Sequence, residues 1–436
     1  MGVSFFVQNF GCRAAQADGA AIEASLVDRG FAPAERDRAD LVILNTCTVT
    51  SAADNDVRQA VRRVRRENPH ARIVITGCYA QRAPEEAVAL PGVSWVIGNS
   101  HKGQIADVLA AGIAPGTPYH GQIHVGDIFA QKEFLGGVVE DAGGDRTRPN
   151  LKIQDGCNNR CSFCIIPFVR GRSRSAPPDW VVEQVRRLGE RYREVVLSGI
   201  NLGRWGRDLE GGRWRLAGLL RRLLEETGVE RLRLSSVEPM DLSDDLLGLM
   251  AESPRIAKHV HSPLQTGSDS VLRRMRRRYR PRHYEDRIRK ARALMPDAAI
   301  GADVMVGFPG ETDAEFEENR AFIESLPFTY LHVFTYSERP GTPAAEVRPQ
   351  VPVPVRKERN RILRELAAEK NLEFRRRMVG RTLSAVTLEQ RGNALSENYL
   401  KIELASPREP NQLVDVEIGG VSPGGLREKT ALPVIG

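Results

Sequence analysis

After Cys164 the chain contains no cysteine: all six, Cys12, Cys47, Cys78, Cys157, Cys161 and Cys164, fall in the first 164 of 436 residues. In a reducing compartment these six thiols point away from a disulfide framework. Their confinement to one end argues against incidental core cysteines and for metal or redox use. Also missing is any apolar run near the roughly 20 residues that cross a bilayer. The opening MGVSFFVQNFG has no basic stretch of the kind that starts a secretion signal. The expectation is a cytoplasmic protein with no membrane partner. Lysine is scarce as well, nine against 54 arginines within a formal net charge of +7. Guanidinium is the better group for phosphate and base stacking, so the balance admits a polyanionic partner, although GC-rich codon usage yields the same ratio.

What is present is a long alternation of short apolar runs and amphipathic stretches, enough for two or three domains. The first block predicts strands over 3–10, 40–46, 71–77 and 93–99, with helices over 16–29, 51–67 and 84–90, an open α/β domain spanning 1–113. Each early cysteine comes directly after a strand. In a parallel α/β sheet the carboxyl ends of the strands share one crevice, so Cys12, Cys47 and Cys78 are expected at one edge as a second site. Residues 114–142, rich in Gly and Pro, read as a linker.

A second βα series, 143–373, predicts strands over 151–155, 194–200, 231–236, 259–264, 299–308 and 330–337. Six such units suggest a partial or complete parallel barrel, with Cys157 just past its first strand on the rim where barrel enzymes do chemistry. A charged helical connector follows. Residues 376–436 alternate β-like runs with Gly and Pro turns, a pattern that fits a small antiparallel β-barrel of the oligonucleotide-binding kind or a purely structural cap.

The most specific signal is QDGCNNRCSFCIIP, with Cys157, Cys161 and Cys164 at C-x3-C-x2-C. A structural zinc site closes four ligands, and the nearest downstream histidine, His259, belongs to a different predicted strand. Thiolates select iron–sulfur clusters, which ordinarily take four cysteines. Three leave one iron open to an outside ligand.

This motif, with Phe163 before its last cysteine and at the mouth of a βα barrel, resembles the radical S-adenosylmethionine (SAM) superfamily. NFGC, NTCTVT and TGCYAQ upstream, together with SGINLGRWG, SSVEP, HSPLQTGSD, DVMVGFPGET and FTYSERPGT, are similar to its methylthiotransferase branch, and the C-terminal segment resembles the TRAM module of that branch. NTCTVTSAAD and CSFCIIPFVRGR resemble most the members that act on N6-threonylcarbamoyladenosine at position 37 of tRNA. One departure is Ala15, where the branch usually has asparagine.

The resemblance implies two 4Fe–4S clusters, one on each cysteine trio, and SAM as cosubstrate. One SAM methylates a sulfur carried at the auxiliary cluster. A second is cleaved to a 5′-deoxyadenosyl radical that activates carbon 2 of the adenine, and both clusters must therefore serve one cavity. It also implies the anticodon stem-loop of tRNA as partner and an electron donor such as flavodoxin or ferredoxin. Asn201, Ser236, Glu238 and Gln265, at predicted strand ends, are candidate SAM contacts, with Phe163 as a ring to pack on the adenine. No side chain is assigned a catalytic acid or base role.

Among the arginine-rich runs, 61–66, 170–174, 273–282 and 375–377, the second directly follows the cluster loop, where substrate phosphates could pass. Tyr279 adds a stacking group within the third. From Met378 onward six basic residues face seven acidic ones, so the terminal module is no basic patch. Methylthiolation of isopentenylated adenosine or of a ribosomal protein side chain keeps the same chemistry, and a non-catalytic iron–sulfur or zinc RNA-binding protein is the alternative from another class.

Overall fold

The structure is a computed structural model that describes residues 2–113, 121–134, 136 and 147–430. About half of the segment read as a linker, 114–120, 135 and 137–142, lies outside the described residues.

Six strands, β1 (Ser4–Asn9), β2 (Ala32–Pro33), β3 (Leu41–Thr46), β4 (Arg72–Gly77), β5 (Val93–Gly98) and β6 (Gln122–His124), form an all-parallel sheet in the order β2-β1-β3-β4-β5-β6. β3 and β5 are buried along their whole length, as strands covered by helices on both faces must be, which is why LVILNT and VSWVIG read as near-continuous apolar runs. β6 comes from the stretch read as linker. The first helix, α1 (Arg13–Asp28), begins three residues earlier than its periodicity predicts, because Cys12, extended at φ −75° and ψ 171°, already occupies its cap position. The helix expected over 84–90 is two short ones, Cys78–Arg82 and Pro84–Val88. The sequence pattern misses the first because Gly77 turns the chain sharply: its φ is +95°, and a Cβ there would stand 2.5 Å from the Thr46 carbonyl. The close approach sets Cys78 at the very end of β4.

The central unit carries β7 (Asn150–Asp155), β8 (Arg174–Ser175), β9 (Glu194–Gly199), β10 (Arg231–Leu234), β11 (His259–His261), β12 (Ala299–Val306) and β13 (Tyr330–Thr335). They pair as β10-β9-β7-β8 and β11-β12-β13, and a parallel bridge from Leu232 to Ile256 joins the two sheets. All pairings are parallel save that of β7 with the short β8. Among the described residues nothing pairs β13 with β7, so six strands make a partial barrel. One core of aliphatic side chains from strands and outer helices holds it.

A single helix, Val353–Arg377, runs across the boundary read at 373–376. Its Leu363 packs in the central core while Phe374 packs in the terminal one. There β14 (Thr382–Thr387), β15 (Asn393–Ser396), β16 (Lys401–Glu403), β17 (Leu413–Ser422) and β18 (Gly425–Glu428) close a barrel in the order β14-β15-β16-β18-β17. It departs from the expected antiparallel pattern at one place, the parallel pair of β16 and β18.

The two barrels meet through buried charge. Arg233 on β10 donates to both carboxylate oxygens of Glu194 on β9, at 2.7 and 2.9 Å, and to the Ser396 and Glu397 carbonyls of the terminal barrel, each at 3.0 Å. Burial alone would raise the Glu194 carboxyl; the attraction of Arg233, and then its hydrogen bonds, bring it down to about 2. Its ionised form therefore stabilises the fold fully above the ordinary value near 4.5, and that contribution is lost as pH falls toward 2. Removing one partner of such a pair leaves an uncompensated buried charge and costs about 3–5 kcal/mol. Arg233→Met should lose that much in denaturation measurements, whereas Arg233→Met with Glu194→Met should recover part of it. Equal losses in the single and double variants would show that the pair is not coupled.

Candidate active site

The loop after β7 carries three cysteines because several backbone contacts pin it. Gly156, at φ +69°, lies so close to the Arg172 carbonyl that a Cβ would come within 2.0 Å of it. The Cys157 amide donates to the Gly171 carbonyl at 3.1 Å, and Ser162 donates through its amide to Met275 and through its hydroxyl to the Arg274 carbonyl. Three donors reach the sulfurs: the Asn159 amide (3.4 Å) and the Asn201 side chain (3.7 Å) at Cys157, and the Arg277 guanidinium (3.3 Å) at Cys161. Arg277 also pairs with Glu238. Desolvation, with the neighbouring Cys161 adding to it, pushes the Cys164 thiol up to about 12.

The other three cysteines gather where the strand-end argument places them. Cys12 follows β1, Cys47 follows β3 and Cys78 follows β4. Gly11, at φ +95°, brings the first two together, since a Cβ on it would lie 2.5 Å from the Cys47 Cβ. Desolvation first, then Cys78 and Cys12, push the Cys47 thiol up to about 12. Cys78 packs against Ile165 and Val169, directly downstream of Cys164. Asn99 ties the same two segments, donating to the Cys78 sulfur at 3.6 Å and to the Val169 carbonyl at 2.7 Å. Cys78 of one trio and Cys164 of the other thus share one short stretch, Ile165–Arg170: Cys78 packs on Ile165 and Val169, and Cys164 immediately precedes Ile165.

The residues expected to touch SAM distribute unevenly. Asn201 and Glu238 stand beside the cysteine loop, through Cys157 and Arg277 respectively. Ser236 instead holds the His261 Nδ1 at 2.7 Å, inside the barrel. Gln265 sits in the left-handed region at φ +65° with its backbone bridged to β12. Phe163 packs against the small core of Val271, Met275 and Phe308. Ala15 is buried and accepts at its carbonyl from Asn45, at 2.6 Å.

The arginine runs divide between surface and interior: Arg172, Arg273, Arg274, Arg276 and Arg278 are exposed, and other members are not. Arg170, Arg174 and Arg277 are buried, so they are not a path for phosphates; they hold the cysteine loops. Tyr279, expected as a stacking group, is also buried, and its hydroxyl donates to the Leu264 carbonyl at 2.5 Å. Arg170 pairs with Asp155 on β7 and with Asp18 on α1, both at 2.9 Å, and Asp18 also takes Lys102 and Lys152. A second tie joins Arg339, from FTYSERPGT, to Asp54 at 2.7 Å and to the Thr48 carbonyl beside Cys47 at 3.2 Å. Charge-run reasoning missed these roles because burial is invisible to it. The separation of the partners, 285 residues for Arg339 and Asp54, left no local pattern to find.

The donor set fits iron–sulfur clusters. A lone tetrahedral zinc on thiolates needs its sulfurs about 3.7 Å apart, given bonds of about 2.3 Å. Among the described residues the one group of three ligand atoms lying within 4.8 Å of one another is His261, Asp303 and His332, so neither cysteine trio is that tight. Thiols held near 12 ionise only when a cation compensates them, and amide and guanidinium donors aimed at sulfur suit bound thiolates.

Comparison with known proteins gives the same answer. Residues 151–323 match the Radical SAM superfamily and residues 4–98 match "Uncharacterized protein family UPF0004". The threonylcarbamoyladenosine tRNA methylthiotransferase MtaB of Aquifex aeolicus is 37% identical over 94% of this chain and 99% of its own. The tRNA-2-methylthio-N(6)-dimethylallyladenosine synthase of Saccharopolyspora erythraea is 34% identical over 91% of this chain and 80% of its own. In fold, the chain is similar to the radical SAM methyltransferase TsrM of Kitasatospora setae, with a TM-score of 0.57, 16% identity and coverage of 79% and 77%. No described helix is long and apolar enough to cross a membrane. Relatives 37% and 34% identical over more than nine-tenths of this chain show that the chain belongs to the radical SAM methylthiotransferase family.

Proposed function

We propose that this chain adds a methylthio group to carbon 2 of N6-threonylcarbamoyladenosine at position 37 of tRNA. Membership of the radical SAM superfamily implies one 4Fe–4S cluster and SAM, which Cys157, Cys161 and Cys164 would anchor. The observation that supports the fuller reading is the second trio, Cys12, Cys47 and Cys78, gathered at the strand ends of the first domain with Cys78 packed on Ile165 and Val169, just downstream of Cys164. It would hold a second cluster. When bound, these groups supply the carbon radical on one side and the sulfur on the other.

The protein's own part is to position and to seal. Glu238 is held by Arg277, which also touches Cys161, so its carboxylate is fixed beside the cysteine loop and would be available to accept from the amino group or ribose hydroxyls of SAM. Asn201 does the same beside Cys157, donating to the sulfur through its side chain while its amide is anchored on Gln154 at 2.6 Å. The anticodon stem-loop is the macromolecular substrate. A small reductant such as flavodoxin or ferredoxin would deliver the electron.

The choice of substrate within the family rests on relatives named for threonylcarbamoyladenosine, which lie alongside relatives named for dimethylallyladenosine. The two differ in the group on N6, not in the chemistry at carbon 2. Nucleoside mass spectrometry of tRNA from a strain lacking this gene should show loss of 2-methylthio-N6-threonylcarbamoyladenosine. An unchanged peak, with loss of the isopentenyl counterpart, would move the substrate to the second kind. A pure RNA-binding protein would change neither.

The cluster assignment has its own test. Anaerobically reconstituted protein should hold two clusters of about four irons each. Alanine at Cys157, Cys161 and Cys164 should halve the iron and abolish release of 5′-deoxyadenosine. Alanine at Cys12, Cys47 and Cys78 should also halve the iron but leave that release intact while methylthiolation is lost. Methylthiolation surviving in the second triple variant would falsify the auxiliary site.

A further inference from the structure

The interior of the partial barrel holds a group of side chains that neither cysteine trio uses. β11, β12 and β13 lie side by side, and their register pairs Asp303 directly with His332 and sets His261 opposite Gly301. Residues two apart on a strand share a face, so His261, Asp303 and His332 project together. The His261 Nε2 lies 3.5 Å and the His332 Nδ1 lies 3.3 Å from the same oxygen of Asp303.

Three features make this a built site. The Ser236 hydroxyl meets the His261 Nδ1 at 2.7 Å, which fixes the ring and leaves Nε2 as its free nitrogen; an outer hydrogen bond of this kind orients metal-bound histidines. That Nε2 has no hydrogen-bond partner, although the His261 side chain is only 7% exposed. Such an orphaned nitrogen costs free energy unless something occupies the space before it. The separations also match ligands around one ion: metal–nitrogen bonds of about 2.0–2.1 Å place tetrahedral neighbours about 3.4 Å apart.

We propose that His261, Asp303 and His332 form a third metal site, which takes one divalent d-block cation, zinc in particular. Two imidazoles and one carboxylate are a borderline-soft donor set that suits zinc or ferrous iron and not calcium or magnesium. Three protein ligands leave coordination open. His332 is half exposed, so the open side lies toward it, within the barrel. An oxygen ligand, water or a substrate carboxylate, completes the shell. On the reading given under Proposed function, the carboxylate of the threonylcarbamoyl group is such a ligand, one that an isopentenyl group cannot supply.

The test uses the holoenzyme, so that clusters already occupy the cysteines. Reconstituted protein is dialysed against micromolar zinc chloride, and zinc and iron are counted by inductively coupled plasma mass spectrometry. We expect one zinc per chain in the parent, and less than a tenth of that in Asp303→Asn and in His332→Ala, with iron unchanged. His332→Gln serves as a second, milder substitution at a half-exposed position, and unchanged iron reports that each variant is folded. No zinc in the parent, or equal zinc in parent and variants, overturns the proposal. No tRNA is present, so a negative count leaves the tRNA reading standing, and failure of that reading leaves the count unaffected.

Discussion

Everything at the active site depends on a buried network of charge between the first two domains. Asp18 of α1 reaches Lys102 within its own domain, and Lys152 and Arg170 of the barrel. Asp155 takes Lys152 and Arg170 again, with Arg174 at 4.0 Å. Burial alone would raise the Asp18 carboxyl, but Lys102, Lys152 and Arg170 together hold it well below the usual range. Four cations thus surround two carboxylates. Burial works against the Arg170 guanidinium, but Asp155, then Cys78 and Asp18, outweigh it and hold the group firmly in its charged form. A cluster of thiolates is an anionic body, and a buried anion needs a fixed countercharge. The network joins the domains and supplies that charge in one stroke.

This account explains what the sequence could and could not disclose. The strand-end rule placed Cys12, Cys47, Cys78 and Cys157 just past strands, because a βα domain writes each strand as an apolar run; Cys161 and Cys164 were singled out by the C-x3-C-x2-C spacing instead. Neither needed knowledge of tertiary contacts. The partners of the cysteines were another matter. Arg170 and Arg277 sit in runs that look like solvated or nucleic-acid-binding segments, and only the fold shows which members point inward. Lys152 and Asp18 are 134 residues apart. Lys152 lies inside a strand otherwise read for its apolar side chains, and Asp18 inside a helix predicted from hydrophobic spacing. Burial of a charge on an apolar element is a local inconsistency, and such inconsistencies concentrate at functional sites. Read that way, a lysine within LKIQD was the available signal.

The histidines of the barrel show the opposite limit. Alternation in HVHSPL, GADVMV and YLHVFT places His259 and His261, Gly301 and Asp303, and Tyr330 and His332 on one face of each strand. Sequence alone cannot say that three such faces converge, because that requires strand order and register. Once the order β11-β12-β13 is fixed, the interior becomes a stack of rings: Tyr399 of the terminal barrel on His259, then Tyr330, then His261 and His332. Gly301 permits the stack, since a Cβ there would fall 2.0 Å from the Tyr330 ring. The terminal barrel thereby contributes to the interior of the central one, through Tyr399 and through the carbonyls that Arg233 engages.

The seam between the two trios carries the last consequence. Cys78, Ile165 and Val169 form a small apolar cluster, with Ile166 against it, and Asn99 crosses it with both hydrogen bonds of its amide nitrogen engaged. Water has little reason to enter such a place. Burial, before any neighbouring charge, pushes the Cys47 and Cys164 thiols up to about 12, while Cys12, in the same trio as Cys47, is exposed. Cys47 and Cys164, so placed, would need a compensating positive charge, such as a bound metal supplies, to become thiolates. With a cofactor bound there, the apolar side chains of the seam would keep water from the chemistry that it supplies.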